Sequence, residues 1–178
     1  MTTGIRFTVF GALALTALAL RPSVSAAGTD AAKPNDLAKQ KQTISDIRNV
    51  GTAMWVWYKD EMAAKRSGET HKKAEEEAQA TSADISAVPV ISRQELAKVL
   101  VPRYIASIPE KDGWGNPYEF HLNTTDPNAV RVMGLRSTGQ DGQFSGNTYE
   151  VGSFAPEDVQ QDIAWVDGFF VRWPQAGQ

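Results

Sequence analysis

The residues best suited to chemistry in this 178-residue chain lie in one acidic, glycine-rich stretch from Ser137 to Asp162. The stretch has no hydrophobic periodicity, and its glycines and acidic residues include Gly139, Asp141, Gly142, Gly146, Gly152, Glu157, Asp158 and Asp162. Carboxylate and carbonyl oxygens on a backbone that can wrap an ion are what Ca²⁺ requires. A long irregular loop inside a compact domain also needs a source of order. Composition alone leaves two interpretations open, a calcium loop and an acidic surface loop.

Patterns for other chemistries are missing from the sequence. The chain has no cysteine, which excludes disulfides, thiol catalysis and thiolate metal sites. It has two histidines, His71 in a charged run and His121, too few and too far apart to predict a zinc site. His121 alternates with Phe120 and Leu122, so we expect it to face outward from a strand. No phosphate-binding loop, nucleophile motif or HExxH occurs, and we therefore expect a protein that is not an enzyme.

Length and charge set the class of protein. A chain of 178 residues suits one domain with a core of its own. The net charge is −3 with both signs interspersed, which gives no electrostatic reason to expect nucleic acid as a partner.

The N-terminus reads as an export signal over residues 1–27. Arg6 gives a basic start, Phe7–Leu20 is apolar, and residues 23–27 are small enough for a cleavage site. Because the apolar run is shorter than the roughly 20 residues of a spanning helix, we expect a cleaved signal peptide and an exported protein. An uncleaved anchor is the alternative. Residues 28–35 form a polar linker.

A long amphipathic helix is predicted from about residue 36 to residue 62, with Asp36 as its N-cap. Its apolar stripe is Ile44, Ile47, Gly51, Met54, Tyr58 and Met62. Gly51 costs helix stability relative to alanine, so we expect another element, such as a sheet, to pack closely there. Trp55 and Trp57 flank the stripe and are expected in the core. Residues 63–88 form a charged insertion, either a solvated continuation of the helix or a stretch without fixed structure.

The second half of the chain predicts a short helix and a small sheet. Ser92–Glu95 fits a capping box before a helix that Pro102 ends. Lys111–Pro117 predicts a turn, with Trp114 filling one edge of the core. The predicted strands are Tyr118–Leu122, Val130–Leu135, Ala164–Val166 and Phe169–Trp173. The order favours an α+β domain over residues 36–178, with the long helix packed on a small antiparallel sheet.

Four blocks in this order resemble the soluble domain of the major pseudopilins of type II secretion, the G-type subunits. They are SDIRNVGTAMWVWYKDE, ELAKVLVPRYIASIP, KDGWGNPYEF, and RSTGQDGQFSG followed by EDVQQDIAW. The resemblance covers roughly residues 39–62 and 92–166, and the Trp-Gly-Asn-Pro-Tyr block is its most specific part. It implies a pseudopilin-like fold with a calcium-binding loop near the C-terminus.

The resemblance also implies a ligand set. Asp141 matches the first calcium-binding aspartate of the family, and Asp162 matches the second aspartate of its DxDI element. The first position of that element is Gln160, for which Asp158 is a substitute, and residues 147–156 lengthen the loop relative to the family. Backbone carbonyls complete the implied set of Thr138, Asp141, Gln143, Asp158 and Asp162.

The N-terminus departs from the family. Pseudopilins begin with a peptidase site, a glycine before Phe-Thr-Leu and a glutamate, whereas Gly4–Phe10 keeps only part of it and no glutamate precedes Glu61. We therefore expect a non-enzymatic structural or interaction protein, whose partners are other pseudopilins or secretion-system proteins. Two alternatives are an anchored pseudopilus subunit and an extracellular ligand-binding or hydrolytic domain that uses exposed Trp55 and Trp57.

Overall fold

The computed structural model of the protein describes residues 33–65 and 80–175, together with Met1. The expected signal peptide and most of the linker lie outside the described residues. So does the central part of the charged insertion, residues 66–79.

The architecture is α+β. Helix α1 is Pro34–Glu61, a 3₁₀ turn follows at Ala63–Lys65, and helix α2 is Arg93–Leu100. The strands are β1 (Ser82–Asp84), β2 (Val90–Ile91), β3 (Glu119–Leu122), β4 (Met133–Ser137), β5 (Thr148–Glu150), β6 (Gly152–Phe154), β7 (Ile163–Val166) and β8 (Phe169–Pro174).

The strands form a six-stranded sheet in the order β2-β3-β4-β7-β8-β6 and a separate two-stranded ribbon, β1-β5. Every described pairing is antiparallel except that of β6 with β8, which is parallel. The large sheet is therefore mixed, and the expectation of a purely antiparallel sheet is wrong at this edge. The cause is the connection after Glu150, which brings β6 back alongside the last strand.

Helix α1 packs on the sheet through the predicted stripe. Ile47 and Met54 of the stripe are fully buried, and so is Val50, which was not assigned to it. A Cβ placed on Gly51 would lie 2.7 Å from the ring of Trp165 in β7, so glycine is required for this close approach. The expected close packing at Gly51 is confirmed.

The helix N-cap lies three residues earlier than predicted. Lys33 is the N-cap and Pro34 the first helical residue, so the prediction of Asp36 as N-cap is wrong. Proline suits the first helical position because the N–H that it lacks would have no partner within the helix. Its ring also fixes φ near the helical value. Asp36 lies instead in the first turn, 3.5 Å from Lys39 Nζ.

The local signals of the second half are confirmed. Ser92 and Glu95 form both bonds of a capping box at the start of α2. Asp167 and Gly168, between β7 and β8, have φ of 47° and 107°, the positive angles of a tight hairpin turn. Asp167 Oδ1 accepts hydrogen bonds from the backbone N–H groups of Val132 and Met133, which ties the turn to the adjacent strand.

Three strands of three residues and the two-residue strand β2 were not predicted. β1 lies within the charged insertion, and β5 and β6 lie within the acidic stretch, which is therefore not irregular throughout. Each has three residues with a single buried side chain, Ala83, Tyr149 and Phe154 respectively. One buried residue gives no period for a sequence pattern to reveal.

Candidate metal site

The candidate site lies at the edge of the large sheet where β4 ends and β7 begins. Ser137 and Ile163 are the last paired residues of that ladder, so the next residues outward are Thr138 and Asp162. Both are buried, with 5% of Thr138 and 1% of Asp162 exposed. Two of the five implied ligands therefore meet at one end of one strand pair.

Within the described part of the chain, Asp162 uses one of its two carboxylate oxygens for hydrogen bonds. Its Oδ2 accepts hydrogen bonds from the Ser145 N–H (3.0 Å), the Ser145 hydroxyl (3.0 Å) and the Tyr149 hydroxyl (2.9 Å). Its Oδ1 is buried and has no hydrogen-bond partner among the described residues, and the same is true of the hydroxyl oxygen of Thr138.

Two unpaired oxygens fit a hard cation. A buried polar atom without a partner carries its desolvation cost uncompensated. A cation between oxygens would remove that cost, because Ca²⁺ takes carboxylate and other oxygen ligands. The implied role of Thr138 was through its backbone carbonyl, whereas the unpaired atom found in the structure is its side-chain hydroxyl.

The other three implied ligands are exposed. Asp141 Oδ1 accepts a 3.0 Å hydrogen bond from the backbone N–H of Gln143, and both residues lie at the surface. Asp158 Oδ2 accepts a 2.9 Å bond from Gln161 Nε2 and is exposed as well. Residues 33–65 and 80–175 contain no group of three or more His, Cys, Asp or Glu side chains placed to hold a metal. The structure thus brings Thr138 and Asp162 together but does not bring Asp141 or Asp158 into one carboxylate cluster with them.

The Trp114 turn, Lys111–Pro117, supports the acidic loop at this edge. Asp112 Oδ2 accepts a 2.6 Å hydrogen bond from the Ser137 hydroxyl, and its Oδ1 accepts from the N–H groups of Trp114 and Asn116, each at 2.9 Å. Asn116 Nδ2 donates to the carbonyl of Gly139 at 2.7 Å. The sequence predicts this turn, but no pattern in it indicates that Asp112 and Asn116 hold the acidic loop.

At Gly139 the first part of the loop packs against the backbone of its last part. Its φ is +65°, and a Cβ there would lie 2.6 Å from the Gln161 carbonyl oxygen and 2.8 Å from that of Val159. The next residue, Gln140, donates its N–H to Val159 O at 2.8 Å. The segment before Asp162 is thereby held against the segment after Ser137.

A buried arginine lies behind the site. The guanidinium of Arg136 donates to Glu119 Oε1 at 2.6 and 2.8 Å, to the Tyr149 hydroxyl at 2.9 Å and to the Gly146 carbonyl at 2.6 Å. Its central carbon lies 3.8 Å from the centre of the Phe144 ring, a cation–π contact. Arg136 and Asp162 therefore share Tyr149 as a neutral bridge between their opposite charges.

The tyrosine remains a proton donor to Asp162. Burial is the main cause that raises the pKa of the Tyr149 hydroxyl, and the charge of Asp162 adds to it, while the hydrogen bond from Arg136 acts in the opposite direction. A protonated hydroxyl donates to Asp162 Oδ2 and accepts from Arg136, which matches the observed bonds. No sequence pattern pointed to Tyr149, because it is the single buried residue of the unpredicted strand β5.

His121 extends this network from Glu119 to the Val88 carbonyl. The expectation that His121 faces solvent is wrong. Only 3% of it is exposed. Its Nδ1 lies 2.8 Å from the Val88 carbonyl and its Nε2 lies 2.8 Å from Glu119 Oε1. The physical reason is a second layer over this face of the sheet: Ile85 Cγ2 lies 3.5 Å, and His121 Cβ 3.6 Å, from the Cβ position of Gly134.

Glu119 is held in its charged form. Burial raises the pKa of this carboxyl. The hydrogen bonds from His121 and Arg136 together lower the pKa by more than burial raises it, so the pKa lies below its ordinary value. Glu119 therefore balances the buried charge of Arg136 at neutral pH.

The two tryptophans of α1 do not form an exposed pair. Trp57 is 8% exposed, and Trp55 is half-buried, with its ring stacked on Tyr58 at 5.5 Å between centroids. The ligand-binding alternative lacks the exposed aromatic surface that it requires.

No helix within the described part of the chain is both long enough and apolar enough to cross a membrane. Comparisons with protein-family models, with curated proteins and with solved structures find no match to this chain.

Proposed function

We propose that the protein is an exported, pseudopilin-like structural or interaction module whose C-terminal loop is stabilised by calcium. The support for the fold is the long helix on a sheet, with Gly51 against Trp165, and the Trp-Gly-Asn-Pro turn bound to the acidic loop. The support for the loop is a pair of buried oxygens, on Thr138 and Asp162, to which no described residue hydrogen-bonds.

The observation that carries the proposal is Asp162 Oδ1. This carboxylate is 1% exposed, and three hydrogen bonds reach its other oxygen while none from the described residues reaches Oδ1. A buried charge retained in this way calls for a partner of opposite sign. Arg136 contacts Asp162 only through Tyr149, so a cation at Oδ1 is the simplest partner.

Calcium would be held by Asp162 and Thr138, with Asp141, Asp158 and the backbone carbonyl of Gln143 as further candidates. When bound, the ion supplies a fixed positive charge to which oxygen ligands are drawn. The chain's own residues do the rest. Asp112 and Asn116 hold the start of the loop, and Tyr149 and Ser145 fix the orientation of the Asp162 carboxylate.

The role of such a module is to present a surface rather than to catalyse a reaction. Its proposed partners are other pseudopilins or secretion-system proteins, and ordering of the loop by calcium would define the surface that they meet. A membrane contact is proposed only for the case in which residues 7–20 remain attached.

The test is a calorimetric titration of the full chain with calcium. We expect a single binding event with a dissociation constant of about 10⁻⁴ to 10⁻³ M, the range of extracellular calcium modules. At ten times that constant the ion should add about 1.4 kcal/mol to the free energy of unfolding, which corresponds to about 3–6 °C in Tm.

The variant D162N should lose this binding. Its matched control is D126N, because Asp126 is an exposed aspartate in the β3–β4 turn whose Oδ1 accepts a backbone N–H, a role that asparagine also fills. Calcium heats that are equal in D162N and D126N, or absent from the unaltered chain at millimolar calcium, would overturn the proposal.

A further inference from the structure

The acidic loop is connected to the N-terminal half of α1 by a short series of hydrogen bonds. Ser137 donates to Asp112 Oδ2 at 2.6 Å, and Asp112 Oδ1 accepts from the N–H groups of the turn that follows. The N–H of Gly113, inside that turn, donates to the Thr43 hydroxyl of α1 at 2.9 Å. Thr43 is fully buried, so this bond is sheltered from water.

Gly113 packs so closely against the backbone of α1 that no side chain would fit between them. A Cβ on this glycine would lie 2.3 Å from the carbonyl oxygen of Lys39 in α1. The Thr43 hydroxyl also donates to that same carbonyl at 3.0 Å. The turn therefore rests directly on the helix backbone, and it cannot shift without disturbing this part of α1.

A second contact joins α1 to the other end of the loop. Gln40, which is 3% exposed, donates from Nε2 to the Pro156 carbonyl at 3.3 Å. Gln40 and Thr43 lie three residues apart and thus on neighbouring turns of one helix face. The loop is consequently attached to one short segment of α1 at both of its ends.

We infer that residues 37–44 of α1 and the loop around Asp162 open and close as one cooperative unit, with Asp112 and Thr43 as the positioning residues. The regulatory consequence rests on the proposed function: calcium bound at the loop would also stabilise the start of α1. That segment carries Leu37 and Ile44, which with Phe170 and Trp173 line a groove between α1 and the end of β8. Because coupling between two sites is reciprocal, a contact made at this end of α1 would in turn strengthen calcium binding.

The first arm of the test needs no calcium. Amide hydrogen exchange is measured on the full chain with its native Thr43 and on the variants T43S and T43V. Thr43→Ser keeps the hydroxyl that accepts from Gly113, whereas Thr43→Val removes it and leaves that N–H without its partner. We expect T43V to exchange about tenfold faster or more over residues 138–145 as well as over residues 37–44, and T43S to match the unaltered chain.

Acceleration in T43V that is confined to residues 37–44 and 112–116 would overturn the inference. If T43V also accelerates β3, β4 and β7, the whole domain has been weakened, and Ser137→Ala then tests the link in the opposite direction. In that variant residues 37–44 should exchange faster although the change lies in the loop, with the exposed Ser153→Ala as control. Unchanged exchange over residues 37–44 in S137A would contradict the coupling.

The second arm adds millimolar calcium and separates the inference from the proposed function. In the unaltered chain calcium should slow exchange over both segments, and in T43V over the loop alone. Binding that protects only the loop in the unaltered chain would overturn the inference and leave the proposed function standing. Coupled exchange in the first arm without any calcium binding would support the inference and overturn the proposed function.

Discussion

The Tyr149 hydroxyl donates a 2.9 Å hydrogen bond to Asp162 Oδ2 and leaves Oδ1 of the same carboxylate buried without a partner among the described residues. The two carboxylate oxygens of Asp162 therefore have different roles. Oδ2 is fixed by the protein, which orients the carboxylate, and Oδ1 is free to meet a ligand.

Substitution of Thr138 tests whether its hydroxyl, which has no hydrogen-bond partner among the described residues, is a calcium ligand. Replacing an unpartnered buried hydroxyl by a methyl group removes a desolvation cost. We therefore expect T138V without calcium to be as stable as the unaltered chain or slightly more stable. With calcium, the same variant should gain less than the unaltered chain, because a ligand has been lost.

The control for this variant is T138S, which keeps the hydroxyl and should keep the calcium-induced rise in Tm. Thermal unfolding of the three proteins with and without calcium gives the comparison. An equal rise in Tm for T138V and T138S would show that the Thr138 hydroxyl is not a ligand.

Gly51→Ala should destabilise the domain although alanine is the better helix former. The added Cβ would lie 2.7 Å from the Trp165 ring, which is only 4% exposed and cannot move aside freely. Overpacking of about 1–3 kcal/mol exceeds the roughly 1 kcal/mol that alanine gains over glycine in a helix. We expect a net loss of about 1 kcal/mol in urea unfolding.

Gly152→Ala is the matched control, since a Cβ there meets nothing within 4 Å and its φ is not in the left-handed region. Its free energy of unfolding should stay within about 0.5 kcal/mol of the unaltered value. A Gly51→Ala protein at least as stable as the unaltered chain would contradict the close packing of α1 on β7.

The lowered pKa of Glu119 makes the free energy of unfolding depend on pH. Its folded pKa is lowered, so its contribution is fully present above its unfolded pKa and is lost as the pH falls through the folded value. The difference in unfolding free energy between the unaltered chain and E119Q should be constant above about pH 5 and should shrink at lower pH. Urea unfolding between pH 7 and pH 3 measures it, and a difference that grows on acidification would have the wrong sign.

The sequence predicted the elements that a long pattern or a capping motif defines. The stripe from Ile47 to Tyr58, the Ser92 capping box and the Asp167-Gly168 turn are all found in the structure. The missed strands are two or three residues long, and their pairing depends on partners far along the chain, such as β1 with β5. Local patterns carry no information on such partners.

The site was predictable in part for a related reason. Asp162 and Thr138 follow from the resemblance, and the ladder of β4 and β7 places them together. Asp112 contacts Ser137 across 25 residues of sequence, and Asn116 contacts Gly139 across 23. Whether His121 is buried depends on the layer formed by Ile85 and Val88, which alternation along β3 could not reveal.

The fate of the N-terminus decides between the exported and the anchored form. Cleavage after Ala26 or Ala27 would give a mature protein that begins at Ala27 or Gly28. We expect the intact mass of the protein from fractionated cells to match one of these, in an exported fraction. A mass that retains Phe7–Leu20, found with the membranes, would favour the anchored pseudopilus subunit.

The most direct measurement of the central claim is a crystal structure of the protein grown in millimolar calcium, with an anomalous difference map. We predict a calcium peak about 2.3–2.6 Å from Asp162 Oδ1, with the Thr138 hydroxyl in the same coordination shell and Tyr149 still bound to Oδ2. A structure in which Oδ1 meets only water, with no anomalous peak in the loop, would contradict the account.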